Sequence, residues 1–440
     1  MLYRFLKFLI GIGIRLYYKE IRVNNKVLLQ SKEPLIIIAN HPNTLMDAWV
    51  IGMICKQPIY YMAKATLFDS KWKLKLFRGL NMIPINRKGE GVTEGVNNDY
   101  SLEECYRILE EKKTLLIFPE GTSYKERVLR KLKSGTARIA LEAEARNNGK
   151  LNLKVVAVGL NYSQPEKFRS RILINIDQPI AIAPYLKKFE ENQFETAQKL
   201  TQRFRERLEK VLLTTETKED EETLALIYNF INSKYLSKKE RGVTAEVITM
   251  KEIKQRLDEL KIVRPWLQHE IELKIRSMNW KLEKMKIRSE LLDRKFRYRL
   301  FLRQLLTSVF FIVIAFPFFI FGLLHHIGQF KLTDIIIPKL SKDIEYYAPF
   351  AVFIGVFLYP ISYLLFTWVI GFHLLNLPWY GLLLYFTLLP LSGLFTYWFM
   401  RYLTHISFKW QYLFLMVDRK NALKELKQEK TTLRKMIFED

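Results

Sequence analysis

Leu35-Ile36-Ile37-Ile38-Ala39-Asn40-His41-Pro42-Asn43-Thr44-Leu45-Met46-Asp47 is the stretch on which the reading of the chain turns. Its first five residues, entered through Pro34, form an apolar, β-branched run with the length of a buried parallel strand. Asn-His-Pro-Asn ends the run and a helical pattern begins at Thr44, so His41 falls where a strand passes into a helix. Pro42 suits a first helical turn and Asn43 is turn-prone, which leaves Asp47 about one turn further in, able to fold back toward the imidazole. A carboxylate beside a histidine fixes its tautomer and stabilises the imidazolium, as a general base requires when it takes a proton from a hydroxyl near neutral pH. Taken alone, such a pair is more often structural than catalytic, so the rest of the chain has to decide.

Working outward, strand patterns at 35–39, 59–63, 82–86, 115–118, 154–160 and 172–176 alternate with helical patterns at 70–78, 100–111 and 136–145. Alternation of this kind predicts an α/β domain, a mostly parallel sheet flanked by helices, with functional groups at the strand ends. Four stretches fit that placement. Gly79-Leu80-Asn81-Met82-Ile83-Pro84-Ile85-Asn86-Arg87 ends a strand with a guanidinium fork suited to a phosphate. Leu116-Ile117-Phe118-Pro119-Glu120-Gly121-Thr122-Ser123 sets an acid, a glycine and two hydroxyls in a turn, where backbone N–H groups and Glu120 could meet a polyol or phosphate. Lys133, Ser134 and Gly135 open a helix in a manner suited to an anion. Val156-Ala157-Val158-Gly159-Leu160-Asn161-Tyr162 is a strand and its exit.

Each stretch is weak alone, but together NHPNTLMD, GLNMIPINR, FPEGTS and VVAVGLNY resemble the four blocks of the phospholipid/glycerol acyltransferase (PlsC-like) superfamily over about residues 20–190. The resemblance implies His41 as base with Asp47 as its orienting partner, and Arg87, Glu120 and Gly121 as ligands of the glycerol phosphate. Asn43, Thr122 and Lys133 are assigned to substrate binding beside them, and the block-four strand to the acyl site. Two departures stand out. The family's usual His-X4-Asp spacing is here His-X5-Asp, a spacing that, with GLNY followed by PEKFRSR, resembles the fungal-type branch that acylates glycerol-3-phosphate or dihydroxyacetone phosphate. Ser123 stands where many members carry Arg, which shifts the expected phosphate contact toward Lys133 or Arg87.

The implied activity is transfer of a fatty acyl group from acyl-CoA or acyl carrier protein to the sn-1 hydroxyl of glycerol-3-phosphate or dihydroxyacetone phosphate, in phospholipid biosynthesis. Rivals are a lysophosphatidic acid acyltransferase, an enzyme acylating another lipid, and a non-catalytic lipid-binding membrane protein on the same fold. No cofactor is expected beyond the acyl donor, no metal because the six histidines are scattered, and no covalent acyl-enzyme because no Ser or Cys sits in a recognisable nucleophile motif.

The remaining sequence points to a membrane. In 440 residues, 70 Lys and Arg against 45 Asp and Glu give a net charge of +25, which calls for an anionic partner. No nucleic-acid module accompanies the charge. Two uncharged stretches, 304–324 and 346–400, are long enough to cross a bilayer core. Two cysteines exclude a disulfide framework, and both read as buried small hydrophobes.

The expected order is an interfacial helix over 1–25, the acyltransferase domain over 26–190, charged helices over 191–303, transmembrane helices over 304–402 (about 305–324, 347–372 and 379–400), and a basic cytoplasmic tail over 403–440. Lys281, Lys284, Lys286, Arg288, Arg294, Lys295, Arg297, Arg299 and Arg303 form a collar before the first span, suited to anionic lipid. The catalytic domain is expected to face the cytoplasm. Three crossings would place the tail on the side opposite the collar, against the positive-inside tendency.

Overall fold

The computed structural model describes residues 2–86, 98–231, 242–293 and 298–438. It divides into two compact units, Met1–Lys218 with Ser341–Phe353, and Glu219–Leu340 with Ile354–Asp440.

The first unit begins with α1 (Leu2–Tyr17) and β1 (Glu20–Asn24), followed by β2 (Leu35–Ala39), α2 (Leu45–Ile54), β3 (Ile59–Lys64), α3 (Lys71–Gly79) and β4 (Met82–Ile85). It continues through α4 (Asn98–Glu110), β5 (Thr114–Ile117), α5 (Gly135–Arg146), β6 (Lys154–Tyr162), β7 (Arg171–Ile176), β8 (Ile180–Ala181), α6 (Leu186–Glu191) and α7 (Gln193–Val211). Among the described residues these strands form one sheet in the order β1-β7-β6-β2-β5-β3-β4, with β8 beside β6. Its neighbours pair parallel except β6 with β7 and β8. The mostly parallel sheet flanked by helices is therefore the fold expected from the alternation.

The central position of β2 explains its composition: all five residues are buried, bonded to β5 on one side and β6 on the other. Helices α4, α5 and α7 bury Cys105, Ile108, Leu109, Ala140, Leu200 and Phe204 in the same core. Two strands escaped the sequence pattern. β1 (EIRVN) is half polar because it is an edge, and its partner β7 lies about 150 residues away; β8 has only two residues. Helix α7 lies past the expected boundary at 190 yet packs on β6, where Gly159 is required: a Cβ there would come within 2.6 Å of the Val211 carbonyl oxygen.

Helix α1 buries Gly11, Gly13, Ile14 and Tyr17, while Leu2, Phe5, Phe8, Ile12 and Leu16 stand exposed. One face is thus packed within the unit and the other is an unpartnered apolar stripe of the kind that lies in a bilayer surface.

The second unit contains α8 (Lys218–Ile231), α9 (Val243–Val263), α10 (Pro265–Lys284), α11 (Ser289–Leu292), α12 (Tyr298–Leu340), most of α13 (Tyr347–Phe366), α14 (Trp379–Asp418) and α15 (Lys420–Phe438). Three helical segments, Leu302–Leu340, Ile344–Leu374 and Trp379–Met416, are long and apolar enough to cross a membrane. Each is longer than the expected span (305–324, 347–372 or 379–400), because the helix continues past it. Of the basic collar, Arg294, Lys295 and Arg297 lie outside the described residues.

His325 and His326 are buried between helices. Their Nδ1 atoms lie 2.7 Å from the carbonyls of Phe321 and Gly322, and their Nε2 atoms 2.7 and 3.0 Å from the hydroxyls of Tyr385 and Tyr363. Helices α12 and α14 approach closely at Gly393, where a Cβ would meet the His326 ring at 2.5 Å.

Candidate active site

The end of β2 is held against β6 by a side chain. Asn40 Oδ1 accepts from the Leu160 N–H at 2.8 Å and Asn40 Nδ2 donates to the Leu160 carbonyl at 3.1 Å, prolonging the ladder by one rung. His41 follows, and the chain turns sharply before α2 starts at Leu45. Thr44 makes the turn at φ 43°, ψ −124°, a conformation that a β-branched residue adopts only under strain. The residue in excess of the four-residue spacing is absorbed in this turn, and Asp47 reaches the imidazole across it: His41 Nδ1 lies 3.0 Å from Asp47 Oδ2.

Asp47 is fully buried, and three donors converge on it. Besides His41, the Asn43 N–H donates to Oδ2 at 2.7 Å and the Tyr162 hydroxyl donates to Oδ1 at 2.8 Å. Burial pushes its carboxyl above the ordinary range, opposed by the bonds from His41, Asn43 and Tyr162. A carboxylate held this way keeps the proton of a neutral imidazole on Nδ1, so Nε2 carries the lone pair.

The turn after β5 grips the His41 backbone from the other side. Glu120 Oε1 accepts the His41 N–H at 3.1 Å, while the Ser123 hydroxyl at 2.8 Å and the Tyr124 N–H at 3.1 Å donate to its carbonyl. Phe118 stacks on the imidazole, with ring centroids 3.8 Å apart and planes 9° from parallel. Ser123 also accepts from the Thr44 N–H at 3.1 Å, so the residue that departs from the family pattern bridges both ends of the histidine turn.

Two of the residues expected at the substrate engage protein groups in the structure. Asn43 is 1% exposed; its Nδ2 donates to the Tyr18 hydroxyl and the Pro165 carbonyl, both at 3.0 Å. Glu120 is 8% exposed, and its second oxygen accepts the Arg130 N–H at 3.1 Å, so both oxygens hold backbone. Burial raises its carboxyl too. Thr122 is half-buried in the same turn but does not line the cavity described next. Arg87 lies outside the described residues.

His41 opens on a cavity of about 830 Å³. Its polar and charged lining includes Ser123, Lys133, Thr136 and Arg138 beside Phe118 and Gly121, and its apolar lining includes Leu45, Ala48, Trp49, Met62, Met82 and Ile117, with Tyr3, Leu6 and Ile10 of α1. Gly121 has φ +79°, and a Cβ on it would lie 2.6 Å from Lys133 Nζ, so the glycine leaves room for the lysine to lie across the turn. Arg138, one turn into α5, adds a cation that no sequence motif announced.

A mostly parallel α/β domain with a His–Asp pair at a strand end, beside a largely apolar cavity that cations help to line, is the class of protein that fold and site define. Residues 20–161 match the family model described as Acyltransferase. Over 135 residues the chain is 32% identical to glycerol-3-phosphate O-acyltransferase 2 of Saccharomyces cerevisiae, covering 30% of this chain and 18% of that protein. Over 126 residues it is 29% identical to 1-acyl-sn-glycerol-3-phosphate acyltransferase of Bacillus subtilis, covering 28% of this chain and 58% of that one. The crystal structure of the 1-acyl-sn-glycerophosphate acyltransferase PlsC from Thermotoga maritima aligns at 21% identity and TM-score 0.33, over 46% of this chain and 79% of that one. The chain thus spans less than two thirds of the curated relatives' lengths. The similarity to these acyltransferases is confined to the N-terminal α/β region, and it extends to a yeast glycerol-3-phosphate O-acyltransferase and a bacterial 1-acyl-sn-glycerol-3-phosphate acyltransferase alike.

Proposed function

We propose that the chain is a membrane-bound O-acyltransferase that moves a fatty acyl group from a thioester, on CoA or acyl carrier protein, to a glycerol-phosphate hydroxyl. The observation that carries this reading is the placement of His41, with Asp47 on its Nδ1, in the wall of a largely apolar cavity that Lys133 and Arg138 also line. His41 Nε2 takes the proton of the acceptor hydroxyl as its oxygen attacks the thioester carbonyl. The imidazolium, stabilised by Asp47, then returns that proton to the departing thiolate. The new C–O bond replaces the C–S bond, and no group on the enzyme is acylated.

Lys133 and Arg138 suit the acceptor phosphate, and the apolar wall suits the acyl chain. The exposed stripe of α1 and the three long apolar helices favour a multi-pass protein whose α/β unit lies on the cytoplasmic face, against anionic lipid. Glycerol-3-phosphate or dihydroxyacetone phosphate is the proposed acceptor, on the His-X5-Asp spacing and the similarity to the yeast glycerol-3-phosphate O-acyltransferase. Lysophosphatidic acid is the alternative, favoured by the bacterial relatives.

The test is incubation of the purified full chain in lipid nanodiscs with labelled acyl-CoA or acyl carrier protein and a panel of acceptors, with products separated by thin-layer chromatography. Acylation of glycerol-3-phosphate or dihydroxyacetone phosphate is expected. Turnover of lysophosphatidic acid alone selects the alternative, and product only from acceptors without phosphate overturns the role given to Lys133 and Arg138. No product with any acceptor and donor leaves a lipid-binding protein.

A further inference from the structure

Of the three donors on Asp47, two belong to its own turn and the third comes from the far end of another strand. Tyr162 closes β6, and its hydroxyl meets Asp47 Oδ1 at 2.8 Å while Oδ2 faces His41. We propose that Tyr162 is a positioning residue for acyl transfer, its phenol fixing the Asp47 carboxylate in the rotation that presents Oδ2 to the histidine. The inference rests on the acyl-transfer reading above and adds to it a residue that touches neither substrate nor His41.

The geometry supports this in three ways. A carboxylate turns about its Cβ–Cγ bond, and a donor on one oxygen fixes where the other points; Asn43 N and His41 Nδ1 both lie on Oδ2, and among the described residues Tyr162 is the donor on the opposite oxygen. The phenol is itself held in place: its ring packs on Tyr18 at 5.6 Å between centroids, and Tyr18 bonds Asn43 and the Pro165 carbonyl. The strand that carries it is keyed to the histidine strand by the two Asn40–Leu160 bonds, so the separation between Tyr162 and Asp47 is set by sheet register and not by a flexible loop.

The titratable groups facing Asp47 are His41 from its own turn, Tyr162 from β6, Tyr18 at the end of α1, and Glu120 from the turn after β5. Glu166 lies beyond Tyr18 and pairs with Lys125 at 2.9 Å. Removing the phenol leaves the carboxylate more basic, which favours the proton on the dyad. The acidic limb of the rate profile should therefore move to higher pH.

The experiment compares wild type and Tyr162→Phe as full chains in nanodiscs, measuring kcat, the KM of acceptor and donor, and the pH dependence of kcat/KM. Expected are a fall in kcat of about ten- to a hundredfold, the cost of one hydrogen bond to a buried charge, KM values within about twofold, and an acidic limb displaced upward. A merely structural tyrosine would lower the melting temperature and leave the limb where it was. A folded, fully active Tyr162→Phe with an unmoved limb overturns the inference.

If that variant fails to fold, 3-fluorotyrosine at 162 keeps the ring and strengthens the donor, and the limb should then move downward; an unmoved limb overturns the inference here too. Wild type without turnover on any acceptor overturns the acyl-transfer reading and this inference with it. An active wild type beside an indifferent Tyr162→Phe overturns the inference alone.

Discussion

Asp47→Asn is the most informative single change in the site, because the structure determines which way round the amide will sit. The side chain keeps one acceptor and gains an NH2, and it is fully buried among three donors. At the Oδ2 position an NH2 would face the backbone N–H of Asn43 at 2.7 Å, which cannot turn away. At the Oδ1 position it would face the Tyr162 hydroxyl at 2.8 Å, which can rotate and accept. The amide oxygen therefore takes the Oδ2 place, His41 keeps its proton on Nδ1, and the base nitrogen still points to the cavity. What is lost is the negative charge 3.0 Å from the developing imidazolium.

Replacing a charge-assisted bond by a neutral one costs about 2–3 kcal/mol, or about 30- to 160-fold in kcat. A tautomer reversal would cost nearer ~10⁴-fold. With the counter-charge gone, the acidic limb of kcat/KM should also move to lower pH, opposite to the shift expected for Tyr162→Phe. Steady-state acyl transfer in nanodiscs from about pH 5.5 to 9, with melting temperature as a check on folding, measures all of this. A folded variant that loses ~10⁴-fold would refute the argument about amide orientation, and one within threefold of wild type would refute the role of Asp47.

Gly121→Ala adds a Cβ where Lys133 Nζ now lies and forces a side chain onto φ +79°, so it should raise the KM of a phosphorylated acceptor at least tenfold with kcat changed far less; an unchanged KM would remove Lys133 from the phosphate site. Glu120→Gln leaves one of two fixed backbone N–H groups facing an NH2, which predicts a loss of about 1–3 kcal/mol. Its pH dependence follows from burial: the folded carboxyl is raised, so its contribution is present at low pH and lost as pH rises through the folded value. The difference in melting temperature between wild type and Glu120→Gln should thus widen from pH 8 to pH 5; a difference that narrows would contradict the assignment.

The sheet and the dyad were legible because both are written locally. β2, β3, β5 and β6 are short apolar runs bounded by turns, and His41 and Asp47 sit on one strand–helix junction. What the sequence hid depends on register. Tyr162 is the last residue of a recognisable strand, yet nothing local says that the bonds Asn40 makes to Leu160 carry its hydroxyl to Asp47. Phe118, an aromatic just before the Pro-Glu-Gly turn, was visible as a strand end but not as the ring beneath the imidazole. The partners of Asn43 and Glu120 were hidden for a shared reason: a polar residue in a turn looks available to a ligand until its neighbours are known, and here Tyr18 and backbone N–H groups engage them. Polar atoms buried so close to the reacting group serve the dyad through the backbone that carries it.

The longer spacing between His41 and Asp47 has an energetic cost, and the cost is localised. Thr44 occupies φ 43°, ψ −124°, a region open to glycine, and holding a β-branched residue there costs of order 1–3 kcal/mol. Offsetting bonds surround it: its N–H donates to Ser123 and its hydroxyl to the Glu345 carbonyl at 3.0 Å. Thr44→Gly relieves the strain, loses a hydroxyl bond of about 1 kcal/mol, and adds about 0.5–1 kcal/mol of unfolded-state entropy. The net change is close to zero or favourable. Thr44→Val keeps the strain and loses the bond, so it should fall below wild type by about 1 kcal/mol or more. Melting temperatures of the two variants in nanodiscs should therefore rank glycine above valine, the reverse of the order that packing alone would give to a buried position. Valine above glycine would mean that the turn is relaxed, and that the extra residue is accommodated without strain.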